Sequence, residues 1–288
     1  MRTRRLSQIG ATVLANPYFA YISNRTIYQG KAKGICFPGL NCYACPLAIF
    51  SCPIGSLQHS LAIMKPSERI KTISGIAKVT HKSFSPSALF YVLGSIGIVG
   101  AIFGRLPCGW ICPFGLLQEV LYRIPVPKLK IPKGLRYLKY GSLLILSMLI
   151  PYITGIHFFS RYCPAGTLEG LLPLKVFPPK TPLPPGSFFV WVKIGILIFF
   201  LLWFTTTKRP FCRTACPLGA FYSLFNPVSL YGMNVDTEKC TQCNTCQKVC
   251  PVDIRIYENP NSPECIRCLS CKRECPESAI TSGFFNLS

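Results

Sequence analysis

Cys240-Thr-Gln-Cys243-Asn-Thr-Cys246-Gln-Lys-Val-Cys250-Pro251 and, further on, Cys265-Ile-Arg-Cys268-Leu-Ser-Cys271-Lys-Arg-Glu-Cys275-Pro276 are two copies of one phrase, C-x2-C-x2-C-x3-C-P. The spacing suits a pair of [4Fe–4S] clusters. Three thiolates on a tight loop occupy three corners of a cubane, and the fourth, beyond the loop, reaches the other cluster. Cys240, Cys243, Cys246 and Cys275 are therefore expected to hold one cluster, and Cys265, Cys268, Cys271 and Cys250 the second. A zinc ribbon would show paired C-x2-C without the third Cys. A disulfide framework would need an oxidising compartment.

Outward from this stretch the composition changes. Residues 232–288 hold seven acidic and six basic side chains, whereas the first 231 hold three acidic and twenty-five basic ones. The net charge of +21 thus sits in the larger part, where half-hydrophobic composition with only 14% charged residues reads as an integral membrane protein. Basic residues there serve lipid contact and orientation first, and docking of an acidic redox partner second. Nucleic acid is disfavoured, because the charges flank apolar spans and form no stripe with aromatics. Three stretches with almost no charge, 87–103, 140–160 and 188–204, match a hydrocarbon core of roughly 30 Å. Lys193 near the start of the third is expected to snorkel to the interface. A fourth crossing comes from 6–23 or from 43–63. Segment 64–86 reads as a basic connector, and 178–185 as a proline-rich loop. The fold expected is mostly α, with about four membrane helices in 1–230, followed by a small α+β cluster-binding domain over 231–288.

The other nine cysteines follow their own phrases. Cys36, Cys42, Cys45 and Cys52 fall within seventeen residues set among Pro and Gly, a compact loop suited to metal ligation. Buried free thiols are the alternative there. Cys52-Pro-Ile-Gly55, Cys112-Pro-Phe-Gly115, Cys163-Pro-Ala-Gly166 and Cys216-Pro-Leu-Gly219 repeat C-P-x-G. Proline suits the first helical position, so each Cys is expected at a helix N-terminus, where dipole and free N–H groups favour a thiolate and an anionic cluster. Glycine three residues on allows close backbone approach. A second Cys four residues earlier gives the pairs Cys108/Cys112 and Cys212/Cys216. Positions four apart share a face if the turn is helical, and two crossings separate the pairs, so both return to one side. Two plus two supplies the ligands of a third [4Fe–4S] cluster, with unligated thiols as the alternative. Cys36, Cys42, Cys45, Cys52 and Cys163 remain for a fourth.

Paired C-x3-C-P motifs after membrane helices, followed by the double C-x2-C-x2-C-x3-C-P motif, resemble the membrane polyferredoxins of the NapH and NosR type, over about residues 87–280. The resemblance implies a membrane electron-transfer protein with a bacterial-ferredoxin-like 2[4Fe–4S] domain facing the cytoplasm, serving quinol oxidation or an anaerobic reductase. The chain departs from the family at Cys36, Cys42, Cys45 and Cys52 and at the lone Cys163. It also lacks the large extracytoplasmic flavin-binding domain of the NosR type, so nitrate and nitrous oxide chemistry is not carried over.

With the ferredoxin end in the cytoplasm, a crossing at 6–23 puts Cys52 and Cys163 together on the far face and yields a wire of clusters across the bilayer. A crossing at 43–63 gathers the clusters near the cytoplasm instead. The C-P-x-G repeat favours the first arrangement and charge balance the second; the first is preferred. Neither offers a hydrolytic site: His59, His81 and His157 are scattered in sequence, and His59 and His157 read as membrane-interface residues and not haem ligands. The function expected is a multi-pass iron–sulfur electron carrier of the cell membrane with no independent catalytic site. It would pass electrons between a cytoplasmic or quinol donor and a redox partner, such as a ferredoxin, a reductase or a quinol dehydrogenase component, with a quinone as a further candidate. The rival is a regulatory or maturation factor that uses its clusters to sense redox state or to serve another anaerobic enzyme.

Overall fold

The computed structural model describes residues 2–64, 86–179 and 188–284. The connector at 64–86 falls almost wholly outside these residues, as do His81 and most of the proline-rich loop at 178–185. The described chain is mostly helical. Seven helices position the cysteines: α1 (Arg2–Ala15), α2 (Pro53–Ile63), α3 (Pro86–Phe103), α4 (Pro113–Leu121), α5 (Gly134–Thr154), α6 (Phe188–Thr206) and α7 (Pro217–Phe225).

Among the described residues, only α5 and α6 are long and apolar enough to cross a membrane; Ser87–Phe103 of α3 is apolar but shorter. Both long helices leave large apolar side chains uncovered, among them Leu144 and Tyr152 on α5 and Trp191 and Leu202 on α6. Helix α5 widens to i→i+5 turns over Ser142–Leu149, just before Pro151. Proline has no N–H for the carbonyl one turn back and its ring crowds that turn, a frequent cause of such irregularity. The helix stops at Gly155, whose φ of 72° closes a left-handed cap on the Pro151 carbonyl at 2.9 Å.

Neither candidate for a fourth crossing is one long helix. Over 6–23, α1 ends at Ala15, Pro17 interrupts the chain, and Ala20–Asn24 is a separate short helix. The fourteen residues of α1 rise about 21 Å at ~1.5 Å each, short of a ~30 Å hydrocarbon core. Over 43–63, only the eleven residues of α2 are helical.

What the C-P-x-G repeat builds is a set of half-length helices. Cys52, Cys112, Cys163 and Cys216 are all N-caps with extended backbone, ψ between 112° and 124°, and each is followed by Pro in the first turn. The proline ring pre-sets the helical φ where no N–H is needed. The partner cysteines behave differently from the single-face expectation. Cys108 lies inside the short helix Leu106–Trp110 and Cys212 inside Pro210–Thr214, so each pair straddles a helix–helix corner.

The C-terminal portion is closed by β1 (Tyr231–Val235) pairing antiparallel with β2 (Ile280–Phe284), Tyr231 opposite Phe284 and Val235 opposite Ile280. Its two cysteine loops repeat in backbone as well as in sequence. Gln242 and Asn244 flank Cys243 with positive φ, and Arg267 and Leu269 flank Cys268 the same way. Left-handed backbone costs a non-glycine residue roughly 1–2 kcal/mol, and a loop curled round a central group is where such strain persists. One hydrophobic core joins this portion to the helices, running from Leu40, Cys52 and Cys163 through Cys112 and Cys216 to Val252 and Ile266. It therefore spans the boundary at 230/231.

Candidate metal centres

Two spaces in the C-terminal portion are ringed by thiols. Cys240, Cys243, Cys246 and Cys275 line the first, an open space of about 380 Å³. Cys250, Cys265, Cys268 and Cys271 line the second, of about 340 Å³, and Cys246 faces it too. These are the two groupings that the motif spacing suggests, each drawing one thiol from the other copy. The sites differ in environment. Cys243 is exposed, and hydrogen bonding with Thr245 holds its thiol below its ordinary value. Burial pushes Cys265 up to about 12, opposed by the Arg267 N–H, which donates to its sulfur at 3.4 Å.

The two C-x3-C-P pairs meet in a third site. Burial, then the neighbouring Cys212 and Cys108, push the Cys112 thiol up; burial, then Cys212, Cys108 and Cys112, do the same to Cys216. Cys112 and Cys216 thus resist ionising beside their neighbours, and a bound cationic core relieves that cost. Donors already point at the sulfurs. Gln118 Nε2 donates to Cys212 Sγ at 3.1 Å, and the Gly219 N–H to Cys216 Sγ at 3.3 Å.

Two arginines hold this site in a reciprocal grip. Arg105, three residues before Cys108, sends Nη2 to the Cys212 carbonyl at 3.1 Å. Arg209, three residues before Cys212, sends Nη1 to the Cys108 carbonyl at 2.7 Å. Each guanidinium passes over the glycine of the opposite motif: a Cβ on Gly219 would meet Arg105 Nη2 at 3.2 Å, and one on Gly115 would meet Arg209 Nη1 at 3.2 Å. This is the close approach expected of those glycines, with a side chain as the approaching group. The repeat R-x2-C-x3-C-P-x-G, visible at both places in the sequence, is the signal that would have found the arginines.

Cys42, Cys52 and Cys163 line a further space of about 340 Å³, with Leu40, Phe159 and Gly166. Cys36 and Cys45, expected to join them, do not line this space. Cys36 packs in a satellite cluster with Leu57, Leu61 and Val92, and Cys45 lies near Glu169 and Lys33, the two charged groups that Cys42 also neighbours. Glu169 is half-buried here. Its Oε2 accepts the Cys42 N–H at 2.7 Å, and burial raises its carboxyl to about 7. Lys193 lines a wide open cleft alongside, shared with Cys42 and His157. His59 and His157, far apart in sequence, stack with ring centroids 5.5 Å apart.

The four places are contiguous. Cys246 faces both spaces of the C-terminal portion. Gly109, inside the first C-x3-C pair, leaves room for the Ile266–Cys268 backbone of the second space. Leu40 lines the Cys42/Cys52/Cys163 space while its backbone N–H faces Cys112. The three lined spaces are alike in size, and among the described residues no three Cys, His, Asp or Glu converge on a point that would hold one ion. Thiols set round an open space fit a polynuclear cluster, whereas zinc requires four ligands within ~2.3 Å of one centre.

Fold and thiols together define an iron–sulfur protein of ferredoxin type. A 4Fe-4S binding domain matches residues 84–132 and 188–230, the segments that carry the two C-x3-C-P pairs, and another 4Fe-4S binding domain matches 233–256. An uncharacterised protein of Methanocaldococcus jannaschii is 32% identical over 189 residues, which cover 59% of this chain and 72% of that protein. The ferredoxin-type protein NapH of Haemophilus influenzae is 27% identical over 264 residues, 86% of this chain and 73% of its own length. The methylamine utilization ferredoxin-type protein MauN of Methylorubrum extorquens is 29% identical over 165 residues, 56% of this chain and 50% of MauN. The match thus spans about half the length of MauN. No solved structure matches. The chain belongs to the ferredoxin-type 4Fe–4S polyferredoxin family related to NapH, NosR, MauN and NirI.

Proposed function

We propose that the protein is a membrane-bound electron carrier that moves single electrons through more than two [4Fe–4S] centres. The observation that carries this reading is the contiguity of the thiol sites, from exposed Cys243 at one end to buried Cys163 at the other. The ligands proposed are Cys240, Cys243, Cys246 and Cys275; Cys250, Cys265, Cys268 and Cys271; Cys108, Cys112, Cys212 and Cys216; and Cys42, Cys52 and Cys163. Clusters bound there supply one-electron chemistry. The chain's own part is to bury the inner sites, aim N–H donors at their sulfurs and keep the sites in contact.

Membrane residence is supported by the apolar, uncovered surfaces of α5 and α6 and by the likeness to NapH. In this reading the ferredoxin-like portion over 231–288 faces the cytoplasm. A redox protein docks at Cys243, and a second partner or a quinone exchanges electrons at the inner end. A regulatory role is the second reading, favoured by the 29% identity, over half of this chain, to the regulatory protein NosR of Pseudomonas aeruginosa. Anaerobic membranes reduced through the exposed end separate the two. A carrier reoxidises within one turnover when an acceptor is added, whereas centres that stay reduced leave the regulatory reading standing.

A further inference from the structure

The charges around Cys108, Cys112, Cys212 and Cys216 do not balance. Arg105, Lys139 and Arg209 are completely buried and Arg4 is 5% exposed. Two carboxylates meet them. Glu119 accepts Arg209 Nε at 2.8 Å and Arg4 Nη1 at 2.8 Å. Glu264, next to Cys265, accepts Arg105 Nη1 at 3.2 Å and pairs with Lys139. Among the described residues, four cations against two carboxylates leave two positive charges inside the protein, and Arg105 Nε has no hydrogen-bond partner. Arg213, buried too, faces Asp253 and Glu264 ahead of Cys250, and buried Arg267 faces Cys265. Burying unpaired charge costs several kcal/mol per ion. Four thiolates around a doubly positive cubane leave a dianion, which cancels that excess.

We infer that Arg105 and Arg209 are positioning and charge-compensating residues of this centre, and that they set its reduction potential. Each belongs to one motif and grips the other, so the pair fixes the spacing of the four thiols. Each also places a positive charge beside a group that becomes more negative when it gains an electron, and so favours the reduced form. The carboxylates moderate the effect: Glu119 faces Arg209, and Glu264 faces Arg105. The second carboxylate belongs to the ferredoxin-like portion, which ties the potential of this centre to docking of that portion on the helices. The inference rests on the reading of the four thiols as cluster ligands.

The test is a redox titration of the full chain, purified anaerobically in detergent and followed by electron paramagnetic resonance. The signal to follow is the one that Cys212→Ser removes. Arg209→Gln and Arg105→Gln are expected to lower its midpoint, Glu119→Gln to raise it, and Arg209→Lys to return it toward the parent value. Shifts of opposite sign from removing opposite charges are not produced by loosened packing. If either Gln variant of arginine loses the centre, Glu119→Gln decides. A midpoint unmoved by Glu119→Gln while iron is retained overturns the inference and leaves the ligand reading intact. If Cys212→Ser removes no signal, no centre sits there and the ligand reading falls first, with the inference after it.

Discussion

Gly109→Ala tests the junction on which the row of centres depends. A Cβ at Gly109 would stand 2.4 Å from the Ile266 carbonyl oxygen and 3.7 Å from Cys268 Cα. The first contact is with backbone, so no side chain can rotate away, and the loop holding Cys265 and Cys268 must retreat by about 1 Å to restore ordinary contact. Overpacking of this kind costs about 1–3 kcal/mol. At about 2–4 °C per kcal/mol for a chain of this size, melting should fall by several degrees. Gly141→Ala is the control, because its Cβ meets nothing within 4 Å. Glycine to alanine in a helix without steric conflict stabilises by roughly 0.5–1 kcal/mol. Melting of anaerobic, detergent-solubilised protein should therefore move in opposite directions for the two variants. Transfer between the Cys250/Cys265 centre and the four-thiol site should slow only in Gly109→Ala. Equal melting and equal transfer rates in both variants would refute the placement of the ferredoxin-like portion against Gly109.

Two further outcomes follow from the same interface and its thiols. Asn226 is completely buried; its Oδ1 accepts the Arg105 N–H at 2.8 Å, and its Nδ2 donates to the Ser262 and Cys265 carbonyls at 2.8 and 2.6 Å. Asn226→Ala strands these groups at about 1–3 kcal/mol for each buried one left unpaired, and unchanged denaturation of the variant would show that the contacts do not form. Burial raises the thiols of Cys265 and Cys163 to about 12 each. At neutral pH they are protonated and must lose protons to bind iron, so iron uptake by cluster-free protein should accelerate from pH 7 to pH 9, and a flat profile would contradict the burial of these sites.

The cysteine loops were legible because their chemistry is local. The C-x2-C-x2-C-x3-C-P spacing and the Cys-Pro start of each half-length helix depend on a few consecutive residues, and both appear in the structure with repeating backbone angles. Hydropathy marked α5 and α6 for the same reason. The 6–23 stretch misled because its average apolarity hides the break at Pro17. Arg105 meets Glu264 across 159 positions, and His59 meets His157 only through the packing of α2 near the end of α5. No periodicity encodes such meetings. Cys36 and Cys45 show the limit from the other side. They sit in the same short loop as Cys42 and Cys52, but Cys36 packs into a satellite core, and Cys45 lies beside Glu169 and Lys33 without lining the Cys42/Cys52/Cys163 space.

The central claim is that thiols outside the ferredoxin-like portion also hold clusters. Iron and sulfide content of the anaerobically purified full chain, counted against protein and read alongside its electron paramagnetic resonance spectrum, tests it most directly. The account predicts about twelve to sixteen iron atoms per chain, three to four cubanes of the kind the motif implies. A reproducible eight, with only the signals of the ferredoxin-like portion, would contradict it and leave the C-P-x-G cysteines as structural thiols.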